Sequence, residues 1–212
     1  MHQFNKFLIC FLLFFSHTRI IAANFDFEIT FESGLELESQ KNFLKDLEDI
    51  SNKNEFEELL ANQDWIEEYT LKYRPFKKSA VLNIKNRKPI FILNDIYFVD
   101  KNLKKFKFDK TEANIVRASG PIKDLADILK IINFFSIQKM NKEYFKLNSI
   151  NYSHVTGWAI QTNSSIIKIG KNIDEKKFKS LRETLNYLND KRKIPNMIDL
   201  RYKDGAALNY GK

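Results

Sequence analysis

The sequence predicts an α+β chain: a short apolar segment at the N-terminus, then two modules mixing strands with amphipathic helices, the second closing on a hairpin. Three observations predict it. Phe25, Phe27, Ile29 and Phe31 alternate with Asp26, Glu28, Thr30 and Glu32, the period-two pattern of a half-buried strand. Phe178, Leu181, Leu185 and Leu188 step by three, four and three, which puts them on one face of a helix. Asp204-Gly205, between residues 197–202 and 206–210, reads as a hairpin turn, because both central residues of a type I′ turn take φ > 0.

The elements follow in order. Residues 1–6 are a short polar start with one lysine, Lys6. Residues 7–23 are mostly apolar, interrupted by Ser16-His17-Thr18-Arg19. That length is at the short end for a membrane-spanning helix, and residues 7–15 alone have the length of a signal-peptide core. Cleavage after Ala22 or Ala23 would put Ile20 or Ile21 at the position that wants a small side chain. The expectation is an uncleaved anchor, with a cleaved signal as the alternative. Lys6 and the amino terminus then lie on the cytoplasmic side, and the rest of the chain lies outside it.

The first module, residues 24–109, opens with the alternating strand. A helix follows, with Ser39 as cap and Phe43, Leu44, Leu47 and Ile50 on its buried stripe. Asn54 with Glu57 three residues on marks a second helix start, ahead of Phe56, Leu59 and Leu60. Trp65-Ile66 leads into a strand in which Tyr69, Leu71 and Tyr73 face one way, ended by Pro75. Residues 80–84 form a third strand. The order is β-α-α-β-β, two helices over one face of a small sheet.

The second module, residues 110–212, starts at the Gly120-Pro121 break, with Ile122, Leu125, Leu129 and Ile132 at helical spacing. Strands are expected at 145–150, 155–161 and 165–169. Asn172 with Glu175 caps the last helix, and the closing hairpin ends the chain. A last strand of this kind often lies at a sheet edge and then offers unpaired N–H and C=O groups to another chain; the alternative is an ordinary closing hairpin with no partner.

Composition narrows the function. Hydrophobic residues at 43% and charged residues at 29% are those of a folded protein. The net charge of +8 comes from scattered lysines, with no arginine-rich stripe and no basic helix, which argues against nucleic acid. Residues 24–64 run the other way, with 12 acidic and 3 basic groups. The single cysteine, Cys10, sits in the apolar segment and permits no internal disulfide.

No catalytic constellation is evident. Ser153 and His154 are sequence neighbours and point to opposite faces of a strand, so they form no nucleophile–base pair. There is no HExxH, CxxC or calcium loop, and the six glycines make no phosphate cradle. Glu57-Glu58 and Glu67-Glu68 read as solvated faces. The expectation is a chain that is not an enzyme, with no catalytic or metal-binding residues, cofactor or small-molecule substrate.

The wording of the hairpin is specific. Asp199-Leu200-Arg201-Tyr202, then Asp204-Gly205-Ala206-Ala207, at the end of a chain with one N-terminal apolar segment, resembles the bacterial cell-division FtsQ/DivIB family. Trp65-Ile66, Leu71-Lys72 and Pro75 resemble that family's run into the second strand of its POTRA domain. Pro89-Ile90 with Tyr97-Phe98-Val99-Asp100 resembles the stretch that leaves it, and Trp158 with Ile160 fits its mid-domain strand. The chain departs from the family at Asn86, where a Glu is usual, and at Leu103, where a Gly is usual. It departs again at Val155 and Thr156, where basic residues are frequent.

The resemblance implies a fold and a role. The fold is an inner-membrane segment, a POTRA-like domain and an FtsQ-type β domain. The role is a non-catalytic scaffold of the division septum, single-pass, with its N-terminus in the cytoplasm and its bulk in the periplasm. It implies FtsB and FtsL as partners, and through them the septal peptidoglycan synthase FtsW–FtsI. A strand of FtsB adds to the last strand, and the residues that carry over to that edge are Tyr202, Asp204, Gly205, Ala206, Ala207, Leu208 and Tyr210. The alternatives are a POTRA-containing secretion or outer-membrane assembly factor and a periplasmic binding or enzymatic domain of another family.

Overall fold

The computed structural model describes residues 16–22, 25–32, 38–107, 115–137, 142–192, 194–203 and 205–211. They form an α+β structure in two compact units, one holding the described residues up to Arg87 and the other those from Lys88 onward.

The first unit contains β1 (Ser16–Ala22), β2 (Phe25–Phe31), α1 (Glu38–Asp46), α2 (Lys53–Ala61), β3 (Ile66–Arg74) and β4 (Ser79–Asn86). Its sheet runs β1-β2-β4-β3, with β2 and β4 parallel and the other pairs antiparallel. The β-α-α-β-β order is present, with β1 added at the edge. Phe27, Ile29 and Phe31 are buried and Glu28 and Glu32 exposed, as the alternation requires. Phe27 meets Phe56 of α2 at 4.7 Å, and Trp65 lies 5.8 Å from Phe43 and 6.2 Å from Phe31. The Trp65 indole N–H donates to Gln63 at 2.8 Å, so the buried ring leaves no donor unpaired.

Two helix starts shift from their expected residues. Ser39 lies inside α1 and is buried. The cap of α2 is Asn52, whose side chain accepts from the N–H groups of Asn54 and Glu55, while Glu55 accepts the Ser51 N–H at 2.9 Å. The capping signature is therefore Asn52 with Glu55, two residues before the expected Asn54 and Glu57, with Glu55 reaching back to the Ser51 N–H and not to that of the cap residue itself.

The apolar segment divides. Residues 7–15 and 23 lie outside the described residues, and Ser16–Ala22 form β1, antiparallel to β2. Thr18, Ile20 and Ile21 are β-branched and suit a strand, and the polar run 16–19 suits a sheet edge better than hydrocarbon. No helix of the described residues is long and apolar enough to cross a membrane.

The second unit begins earlier than the sequence suggests. It contains β5 (Pro89–Leu93), β6 (Tyr97–Asp100), β7 (Lys105–Lys107), β8 (Val116–Ser119), α3 (Ala126–Ile137), α4 (Lys142–Phe145), β9 (Leu147–Ser153), β10 (Gly157–Thr162), β11 (Ile166–Gly170), α5 (Glu175–Lys191), β12 (Met197–Asp199) and β13 (Ala207–Asn209). These strands form one mixed sheet, β13-β12-β11-β10-β9-β8-β5-β6-β7. The expected boundary near 109 moves to 87, because β5 pairs in parallel with β8 across a long connection (Phe91↔Val116, Leu93↔Ala118). Such a partner leaves no local trace in the sequence.

The core of this sheet holds Phe91, Val99, Ile128, Ile131, Ile150, Trp158, Ile160, Ile167 and the whole α5 stripe of Phe178, Leu181, Leu185 and Leu188. The cap of α5 is Asp174, two residues after the expected Asn172, and it accepts the Lys177 N–H at 2.8 Å. The helix α3 starts at Ala126, with Asp124 accepting the Ala126 N–H, so the Gly120-Pro121 break precedes it by a turn.

Candidate binding edge of the second unit

The last strand, β13, sits at one end of the nine-stranded sheet. It pairs antiparallel with β12 as Met197↔Asn209, Ile198↔Leu208 and Asp199↔Ala207. The sense of its free edge follows from the hydrogen bonds on the other side of β12. Ile166 N–H donates to the Asn196 carbonyl at 2.9 Å, and Leu200 N–H donates to the Lys168 carbonyl at 2.8 Å. Even-numbered residues of β12 thus face β11, and Met197 and Asp199 face β13. Ala207 and Asn209 then use their backbone groups inside the sheet, and Leu208 turns its N–H and C=O outward.

Side chains follow the same alternation. Ala206 and Leu208 pack against the core, and Ala207 and Asn209 are exposed. Tyr202 and Tyr210 are 61% and 47% exposed, near opposite ends of β13 by its register. Gly205 is open on its Cα side, and Asp204 lies outside the described residues.

The connection differs from the expected two-residue turn. A type I′ turn at Asp204-Gly205 would pair Lys203 with Ala206, whereas Asp199 pairs with Ala207. Gly205 has φ +159°, far from the value such a turn requires. Side chains supply the reason. The buried Asp199 carboxylate accepts the Arg201 backbone N–H at 3.0 Å and the Arg201 guanidinium at 2.6 to 3.1 Å. That takes the N–H which would extend the ladder toward β13. The Lys177 ammonium, from α5, donates to the carbonyls of Leu200 and Tyr202. Residues 200–203 are held against α5, and the chain rejoins the sheet at β13.

The charge pattern of the loop is fixed by these contacts. The Arg201 hydrogen bonds hold the Asp199 carboxyl below its ordinary value, against the opposing effect of burial. Between the loop and α5 lies an open groove of ≈ 590 Å³ lined by Lys176, Lys177, Lys179, Tyr202 and Lys203, with Asp174 and Glu183 at its sides. Lys177 and the Asp199–Arg201 pair are parts of this site that sequence reasoning missed. The signal available was the Asp-x-Arg spacing; the reach of Lys177 across 23 residues to Leu200 has none.

The other end of the sheet is different. There β7 reads Lys105-Phe106-Lys107, with Phe106 buried and both lysines exposed. Charged side chains on an edge strand discourage pairing with another chain. The strand β13 carries no charge across Ala207, Leu208 and Asn209.

The remaining candidates stand apart from this edge. Trp158 is buried on β10 with its ring 4.8 Å from Tyr152, and Val155 and Thr156 are exposed in the β9–β10 turn. The Ser153 hydroxyl accepts the Val155 N–H, while the His154 ring lies edge-on to Tyr152 at 5.7 Å, so the structure does not join the two into a pair. Among the described residues, no group of three or more His, Cys, Asp or Glu side chains converges to hold a metal ion.

A scan of known family models finds none that matches the chain, and a search of curated proteins finds no match.

Proposed function

We propose that this chain is a non-catalytic scaffold of bacterial cell division, of the FtsQ/DivIB kind, which receives a strand of FtsB on the free edge of β13. One observation carries the reading. The sheet has two ends, one bearing exposed lysines, and the other, β13, uncharged and presenting the outward N–H and C=O of Leu208. An extended peptide gains main-chain hydrogen bonds there and finds exposed aromatic side chains, Tyr202 and Tyr210, towards the two ends of the strand. The fold is compatible in outline: the first unit has the β-α-α-β-β order of a POTRA-like domain, and the second ends in the required edge strand.

In this reading FtsL joins through FtsB, and FtsW–FtsI follow. The N-terminal apolar segment holds the chain in the inner membrane, with the folded units in the periplasm at the septum. Residues 7–15 alone, as a helix, reach about 14 Å, half of a hydrocarbon core of about 30 Å. A spanning anchor over residues 7–23 therefore draws Ser16–Ala22 out of the sheet, so β1 and the anchor are alternative uses of the same residues.

The test is capture of the extracytoplasmic part of FtsB by the full chain in detergent. Leu208→Pro deletes an outward N–H and leaves the β12 ladder intact, so it abolishes capture by a second unit that stays folded, with its thermal midpoint lowered by loss of the Leu208 side chain from the core. Ala207→Pro deletes an N–H that faces Asp199 and weakens the strand itself. Undiminished capture by a folded Leu208→Pro chain would sink strand addition, and no capture by the parent chain would sink the scaffold reading.

A further inference from the structure

The turn between β3 and β4 carries a side chain that the fold does not use. It runs Arg74-Pro75-Phe76-Lys77-Lys78, a single 3-10 turn closed by the Lys78 N–H on the Pro75 carbonyl at 3.2 Å. Phe76 is 103% exposed, with its whole ring in solvent. Lys77 and Lys78 are exposed and have no ion-pair partner among the described residues, while Arg74 pairs with Glu28 at 3.4 Å. Lys78 is held at φ 45°, and its carbonyl accepts the Asp26 N–H at 3.0 Å, which fixes the turn beside the start of β2. An aromatic tip flanked by two unpaired cations is the pattern of a segment that enters the interface of an anionic bilayer.

A span over residues 7–23 would place this tip near a membrane. If residues 7–23 span the bilayer, the chain emerges at Asn24, two residues from Asp26 and hence beside Lys78. If Ser16–Ala22 stay in the sheet, β1 runs from the apolar run toward the tip, and its seven residues set a separation of roughly 23 Å. The first arrangement tethers the tip close to the bilayer, where weak contacts suffice; in the second the tip lies at the end of β1 away from the apolar run and does not reach it.

We infer that the Arg74 to Lys78 turn is a membrane contact, with Phe76 entering the interface and Lys77 and Lys78 meeting anionic lipid headgroups. The inference rests on the proposed span over residues 7–23, with β1 drawn out of the sheet, and is independent of FtsB.

The test uses the full chain reconstituted in vesicles of phosphatidylcholine, with or without phosphatidylglycerol, containing brominated acyl chains. Phe76→Trp places a reporter at the tip and Val155→Trp places one at an exposed turn of the second unit; Trp65 and Trp158 are buried and supply the same background in each. The expected result is bromine quenching at position 76 and not at 155, stronger with phosphatidylglycerol. Adding Lys77→Gln and Lys78→Asn lowers the anionic part of the partitioning by roughly fivefold per cation. Asn accepts the left-handed backbone of Lys78, so the turn is retained. Vesicle-bound chain with equal quenching at 76 and 155, or quenching at 76 indifferent to anionic lipid, would overturn this inference alone. Chain that fails to float with vesicles would overturn the membrane reading with it.

Discussion

Replacing Lys177 by Met tests how the edge strand is held. Its ammonium donates to the Leu200 carbonyl and, at 3.3 Å, to the Tyr202 carbonyl, tying α5 to the loop before β13. Methionine keeps most of the aliphatic stem and deletes the donors. A charge-assisted hydrogen bond contributes about 1.5–3 kcal/mol, and the longer, exposed bond to Tyr202 adds little. The groove beside the loop is open, so water reaches the abandoned Leu200 carbonyl and recovers part of the loss. The expected cost is therefore about 1–2 kcal/mol, concentrated at the end of the sheet. Amide hydrogen exchange reads it locally: Ala207 and Asn209, whose N–H groups face β12, exchange roughly tenfold faster, while Ile160 and Ile167 in the sheet centre change little. Lys177→Arg retains donors and stays near the parent rate. Unchanged exchange at Ala207 and Asn209 in Lys177→Met would refute the claim that this lysine sets the course of the loop.

Two further outcomes follow from the same bonds and caps. Asp199 has its folded-state value lowered by Arg201, so its contribution is complete above its ordinary value of 3.8 and is lost as pH falls through the depressed one. Acid titration followed by the Ala207 amide should show β13 loosening below about pH 4, and Asp199→Asn should remove that step. Asn52→Ala deletes an acceptor for two backbone N–H groups at the start of α2 and should cost the first unit about 1 kcal/mol in urea unfolding, with Asn52→Ser recovering most of it.

What could be read in advance was what is local. The alternation from Phe25 to Glu32 places β2 and its buried face because the period of a strand is written residue by residue. The α5 stripe is legible for the same reason, and every one of its four residues is buried. The misplaced caps are errors of two residues at most, since Asn52 and Asn54, or Asn172 and Asp174, are chemically equivalent until the backbone selects one. The break between the compact units falls at Lys88 because Pro89–Leu93 finds its parallel partner in Val116–Ser119. The closing hairpin is present, but its expected two-residue turn gives way to a longer connection, because a local preference at Asp204-Gly205 is outweighed by Asp199, Arg201 and Lys177, and the last of these is distant in sequence. That β13 is an edge strand was legible; which of its residues face outward needed the register.

The unlike ends of the nine-stranded sheet bear on self-association. Open-ended polymers of sheets need two receptive ends on every subunit, so that each addition regenerates a site. Here, among the described residues, Lys105 and Lys107 discourage pairing at one end, and β13 is the uncharged end. Two copies meeting through β13 form an isologous antiparallel pair about a twofold axis, and that pair has no second receptive end. Among the described residues, pairing through β13 therefore favours a closed dimer over a fibre, and any occupant of β13 blocks that dimer.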